Sequence, residues 1–194
     1  MAKTLEDIEL ILTGHGYPCR RDQDACVKTE IPTRAYKNVA GARSITVHLA
    51  FDQANGCLTV DAPWAFDSRL ATHKEAMYAC LMAASAETPL VKTQLHPADG
   101  EVRLRVDHFA GTDGVPAEGV LKSLSLIPVF ADRWYPHIKD AMEKGDFDPS
   151  KPAKSEPESP RTSLVAVCER AGGINRVKAL LRIRSRDRRD DGTG

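Results

Sequence analysis

No apolar run in this 194-residue sequence approaches the roughly 18 residues that would span a bilayer. Met1-Ala2-Lys3-Thr4 leads straight into an acidic amphipathic segment, without the basic and then apolar stretch of an export signal. The protein is therefore expected to be soluble and cytoplasmic, with no membrane partner. Cysteine is sparse: Cys19, Cys26, Cys57, Cys80 and Cys168 are odd in number and contain no C-x-x-C pair, which excludes a regular disulfide framework or zinc ribbon. No glycine-rich phosphate loop, G-x-S-x-G elbow or H-E-x-x-H is present, so the common nucleotide, hydrolase and metalloprotease chemistries have no foothold. Net charge is also missing, because 27 basic residues balance 27 acidic ones. The balance is uneven along the chain. From Arg161 onward there are 9 basic and 4 acidic residues, leaving 18 and 23 before it, so a basic tail follows an acidic body.

The most informative stretch runs from Leu90 to Met142. Pro97-Ala98-Asp99-Gly100 has the residues of a tight reversal, since Pro fixes φ and Gly tolerates a positive one. After it, Val102, Leu104 and Val106 alternate with Arg103, Arg105 and Asp107, the period of a strand with one buried face. Val120, Leu124, Ile127, Ala131, Trp134 and Ile138 then fall at spacings of four and three, which predicts a helix with an apolar side about five turns long. Pro128 is expected to interrupt it.

Asp132-Arg133-Trp134-Tyr135-Pro136 near the end of that helix, the arginines on the second strand of the hairpin and the alanine-rich helix before it form a pattern over 76–138. In element order and spacing it resembles the YbjN family of bacterial proteins, over roughly residues 1–143. That family is similar in fold to the small chaperones of type III secretion systems. The resemblance implies a protein-binding module, a chaperone or regulatory adaptor without a cofactor, and a homodimer.

Upstream, Thr4 with Asp7 reads as a capping box before Leu5, Ile8, Ile11 and Leu12. Ala25 to Thr29 reads as a first strand. Residues 44–52 alternate as a second, Asn55-Gly56 reverses the chain, and Leu58 and Val60 make the return, with Ala62-Pro63-Trp64 leaving the sheet. Ser68 is placed to cap a helix over 69–85 that turns Leu70, Met77, Leu81 and Ala84 inward. The expected fold is α+β, a five-stranded antiparallel sheet in the order α-β-β-β-α-β-β-α, covered by helices. The Pro, Ser and charged mixture of 144–160 reads as a disordered linker, and 161–194 as a basic, partly helical tail.

Two sets of residues are candidates for binding. Arg103 and Arg105 on the wet side of their strand, with Trp134 and Tyr135 as amphipathic aromatics, could receive a protein partner. A solvated strand face and a core tryptophan would look the same. Alternatively, Arg176, Lys178, Arg182, Arg184 and Arg186 surround a short apolar face of Ile174, Val177, Leu180 and Leu181, which would suit a nucleic-acid-binding regulator. The six histidines are dispersed; His96 beside the turn and His108 at the far end of its strand are roughly 20 Å apart at 3.3 Å per residue, too far to share a metal. Neither an active site nor a metal site is expected.

Overall fold

The computed structural model describes residues 1–148, except 24, 89 and 110–112. The linker from residue 149 on and the whole tail, with Arg176, Lys178, Arg182, Arg184 and Arg186, lie outside the described residues. Within them the order is α1 (Leu5–Gly14), β1 (Cys19–Asp22), β2 (Cys26–Pro32), β3 (Ser44–Asp52), β4 (Cys57–Asp67), a short 3-10 turn at Ser68–Leu70, α2 (Lys74–Glu87), β5 (Lys92–Leu95), β6 (Glu101–Phe109) and α3 (Ala117–Lys144). The strands form one antiparallel sheet in the order β1-β2-β3-β4-β6-β5.

The sheet thus has six strands where the sequence predicts five. β1 escapes notice because Arg20, Arg21 and Asp22 are all exposed. An edge strand held by its main-chain pairing to β2 needs no apolar alternation. A second difference lies in β4, which does not leave the sheet at Ala62 but continues to Asp67 across a bulge. Ala62 pairs with Leu104 and Phe66 with Val102, so Pro63, Trp64 and Ala65 swing out of register and the strand resumes on the same face. A third concerns α2. Asp67 accepts from the Arg69 amide at 2.9 Å and caps only the short 3-10 turn, so the helix begins at Lys74 and Leu70 is exposed. Met77, Leu81 and Ala84 do face the core.

Thr4 and Asp7 form the capping box, each side chain accepting from the other's backbone amide. In α3 the apolar stripe is buried throughout, from Val120 to Ile138. Contrary to expectation, Pro128 and Pro136 lie inside an unbroken helix that continues to Lys144. A proline in a helix interior costs about 3 kcal/mol. Leu124, Ile127, Phe130 and Ala131 around Pro128 are all buried, and large apolar side chains contribute roughly 1.5–3 kcal/mol each, so packing wins.

The three helices share one core cluster with Val27, Val47, Leu49, Val60, Leu104 and Val106, the residues of a single sheet face. Among the described residues no helix lies over the other face. Its edges are two four-residue strands, β1 and β5.

The turn before β6 is as the sequence predicts. His96 donates its amide to Glu101 at 2.8 Å, and Gly100 sits at φ 78°. A Cβ at Gly100 would stand 2.7 Å from Cγ of Arg69 and 3.1 Å from Oγ of Ser68. Gly100→Ala should therefore cost about 2 kcal/mol, from the left-handed backbone and the displaced arginine together. Urea unfolding checks this; a change below about 0.5 kcal/mol would show that Arg69 yields freely.

Candidate functional site

Along β6, residues 101, 103, 105 and 107 point away from the helices, as the period of two demands. Strand register assembles a transverse row on that open face: Arg20 is opposite Lys28, Lys28 opposite His48, His48 opposite Asp61, Asp61 opposite Arg105 and Arg105 opposite Lys92. Like charges so placed repel. Carboxylates in and beside the row remove the conflict. Asp22 pairs with Lys28, and Asp107 receives Lys92 at 3.1 Å and Arg105 at 2.7 Å.

Arg103 is the centre of a second group. Its Nη1 donates to Asp61 at 2.9 Å, and its Nη2 donates to both oxygens of Glu101 at 3.1 Å. Asp61 and Glu101 are buried, whereas the two arginine side chains remain about a third exposed. Burial raises the Asp61 carboxyl above its ordinary value, with Arg103 and His48 opposing. Burial also pushes Asp107 up, but hydrogen bonds from Arg105 and Lys92 outweigh it and hold that carboxyl low. His48 is lowered by burial, partly offset by Asp61.

Beside this group is the β4 bulge. Trp64 has φ 53°, a left-handed conformation that is an outlier for a bulky residue. Its amide donates to Glu101 at 3.0 Å. The residue is 39% exposed, and its ring lies 5.2 Å from the guanidinium of Arg69, which Asp67 holds through Nε and Nη2. The sequence places Trp64 off the sheet, whereas it stands on a bulge within β4. The available signal was a Pro-Trp pair inserted into an otherwise alternating strand, directly after the charged Asp61.

The structure brings Arg103 and Arg105 together on the open face and puts Trp134 and Tyr135 elsewhere. Trp134 is buried in the core, where Nε1 has no hydrogen-bond partner among the described residues. Tyr135 is half-buried and stacks in an aromatic group, its ring 5.4 Å from Tyr36 and 6.5 Å from Phe66. The rest of the 132–136 motif is also structural. Asp132 accepts backbone N–H groups from Arg34, Ala35 and Tyr36 at 2.8–3.0 Å, and Arg133 reaches Glu87 of α2 at 2.8 Å. Asp132 and Tyr135, three apart on the helix, therefore grip one loop.

His96 pairs with Asp99 at 3.0 Å in the turn, while the His108 ring lies against Gly119 at the start of α3. No group of three or more His, Cys, Asp or Glu side chains suited to a metal occurs among the described residues, and no described helix is long and apolar enough to cross a membrane.

No family model matches the sequence, and no curated protein matches it. Among solved structures, YbjN from E. coli, described as a candidate transcription regulator, is similar at a TM-score of 0.48 with 14% identity. The alignment covers 69% of this chain and 92% of that one.

Proposed function

We propose that this chain is a non-enzymatic protein-binding module, a chaperone-like or regulatory adaptor, whose partner is received on the open face of the sheet. The observation that carries the reading is the face itself. It is a six-strand surface that no described helix covers, with half-buried charges fixed by pairing and a strained, exposed tryptophan at its bulge. Fixed complementary charges confer register and selectivity more than affinity. On this reading Arg103 and Arg105 hold the polar part of the surface in shape, and Trp134 and Tyr135 hold the scaffold beneath it. The homodimer belongs to the same proposal, with the short edges β1 and β5 as the places where a second copy could extend the sheet.

The test is photo-crosslinking of the full chain in native lysate, with the photoreactive residue at Thr46 on the open face or at Lys139 on the outside of α3. Trypsin-sensitive, nuclease-resistant adducts at 46 that are absent at 139 are expected. Nuclease-sensitive adducts, or equal labelling at both sites, would defeat the reading. Light scattering separates self-association from a foreign partner, because a dimer gives twice the 21.2 kDa of one chain.

A further inference from the structure

We propose that Trp64 is the anchor of the open face, and that its ring takes an uncharged, apolar side chain from a partner segment of low net charge. This rests on the open-face reading and narrows it to a position and a ligand chemistry.

Three observations converge. The first is the backbone: Trp64 is held at φ 53° on a bulge, directly after Pro63, whose own φ is fixed by its ring. Strain of this kind persists where the surroundings impose it, and a bulge re-aims a side chain. A glycine would sit there without strain, so the indole stands on a backbone that does not favour it. The second is support from below and beside. The Trp64 amide is fixed by the buried Glu101 carboxylate, and Arg69 is fixed beside the ring by Asp67 and by its close approach to Gly100. Trp64 is therefore preorganised while remaining 39% exposed, the property of an interface anchor.

The third is charge complementarity, which decides the occupant. Lys28, Arg69, Lys92, Arg103 and Arg105 are each engaged by Asp22, Asp67, Asp61, Glu101 or Asp107. A polyanion drawing Arg103 away would strand two buried carboxylates, Asp61 and Glu101. A polycation would meet the same internal pairs from the other side. What the surface offers around the bulge without breaking a pair is the indole face, and apolar side chains pack on it.

The experiment uses the full chain and three synthetic decapeptides: a neutral one carrying Pro-Leu-Phe among Gly and Ser, an oligo-aspartate and an oligo-lysine. Titration calorimetry should show saturable binding of the neutral peptide and binding at least roughly tenfold weaker for both charged ones. Trp64→Gly should weaken the neutral peptide by about tenfold or more while leaving Tm unchanged or higher, and Trp64→Phe should keep most of the affinity. Tighter binding of either charged peptide would overturn the proposal, as would no saturation by the neutral one up to millimolar concentration. A clear fall in Tm for Trp64→Gly would do the same by making the indole a packing element. If the neutral peptide binds Trp64→Gly as well as wild type but is blocked by Thr46→Trp, the anchor fails and the open-face reading survives. If neither variant matters, both fail.

Discussion

Asp132→Ala is expected to lower the melting temperature by roughly 10 °C. One carboxylate accepts the amides of Arg34, Ala35 and Tyr36, and alanine would leave all three without their acceptor. A buried donor left unpaired costs about 1–3 kcal/mol, and bonds to a charged acceptor are the stronger kind. The Arg34 amide is exposed and can turn to water, so the loss falls mainly on Ala35 and Tyr36 and comes to about 3 kcal/mol. At roughly 2–4 °C per kcal/mol for a domain of this size, that gives the stated shift. Asp132→Asn keeps one acceptor oxygen and should lose about half as much. Scanning calorimetry decides it: an alanine variant melting within 2 °C of wild type would show that the clamp contributes little.

The second large effect is on the alkaline side. Burial pushes the Tyr36 hydroxyl from an ordinary value of 10.0 up to about 12, with Tyr135 adding a smaller push, and burial alone pushes the Cys80 thiol from 9.0 up to about 12. Both groups are neutral when protonated, and both release their protons more readily in the unfolded chain. Unfolding therefore gains from each proton released once pH passes the unfolded value. Stability should change little between neutral pH and pH 9, then fall through pH 9–10 chiefly on account of Cys80 and more steeply from 10 to 12 as Tyr36 joins it. The upper limits are about 4 kcal/mol for Cys80 and about 3 kcal/mol for Tyr36, at 1.36 kcal/mol per pH unit. Cys80→Ala should remove most of the early part of the decline, leaving the smaller share of the Cys19 and Cys26 thiols, which burial also raises. Tyr36→Phe should flatten the part above pH 10, at a cost of about 1 kcal/mol at neutral pH for the lost bond to the Ala65 carbonyl. Guanidinium unfolding at a series of pH values checks both; a wild-type free energy that stays constant from pH 9 to 11 would refute the assignment.

These two effects converge on one path through the molecule. Asp132 fixes the 34–36 loop, Tyr36 in that loop donates to Ala65 at 2.8 Å, and Ala65 is the residue after Trp64 in the bulge. Loosening the clamp should therefore also loosen the indole.

Where periodicity speaks, the sequence is a good guide. The capping box, β3, β6 and the stripe of α3 all rest on spacing, and each is found as predicted. The misses have separate physical causes. β1 is stabilised by backbone pairing, which leaves no apolar trace, and β4 changes register at a bulge that a fixed period of two cannot represent. Pro128 stays in α3 because the tertiary packing on either side exceeds its local cost. The arginines of the open face were visible as residues, but their carboxylate partners were not. Asp61 comes from another strand, and the left-handed φ of Trp64 and its bond to Glu101 leave no mark in a sequence pattern. Asp132 stood out in a motif, whereas its acceptor role across nearly a hundred positions is purely three-dimensional.

The strand order also sets a timetable for folding. β1 to β4 are a simple meander, each strand pairing with the next along the chain, so their contacts close short loops. β6 joins at β4 only after residues 68–100 have been looped out, and α3 follows β6 in the chain. Closing the larger loop carries the greater entropy cost, and topologies rich in distant pairings form slowly. The meander can therefore assemble with only α1 on its apolar face. Capture of the β5–β6 hairpin on β4, at the strand that carries the bulge, is accordingly expected to be the slow event.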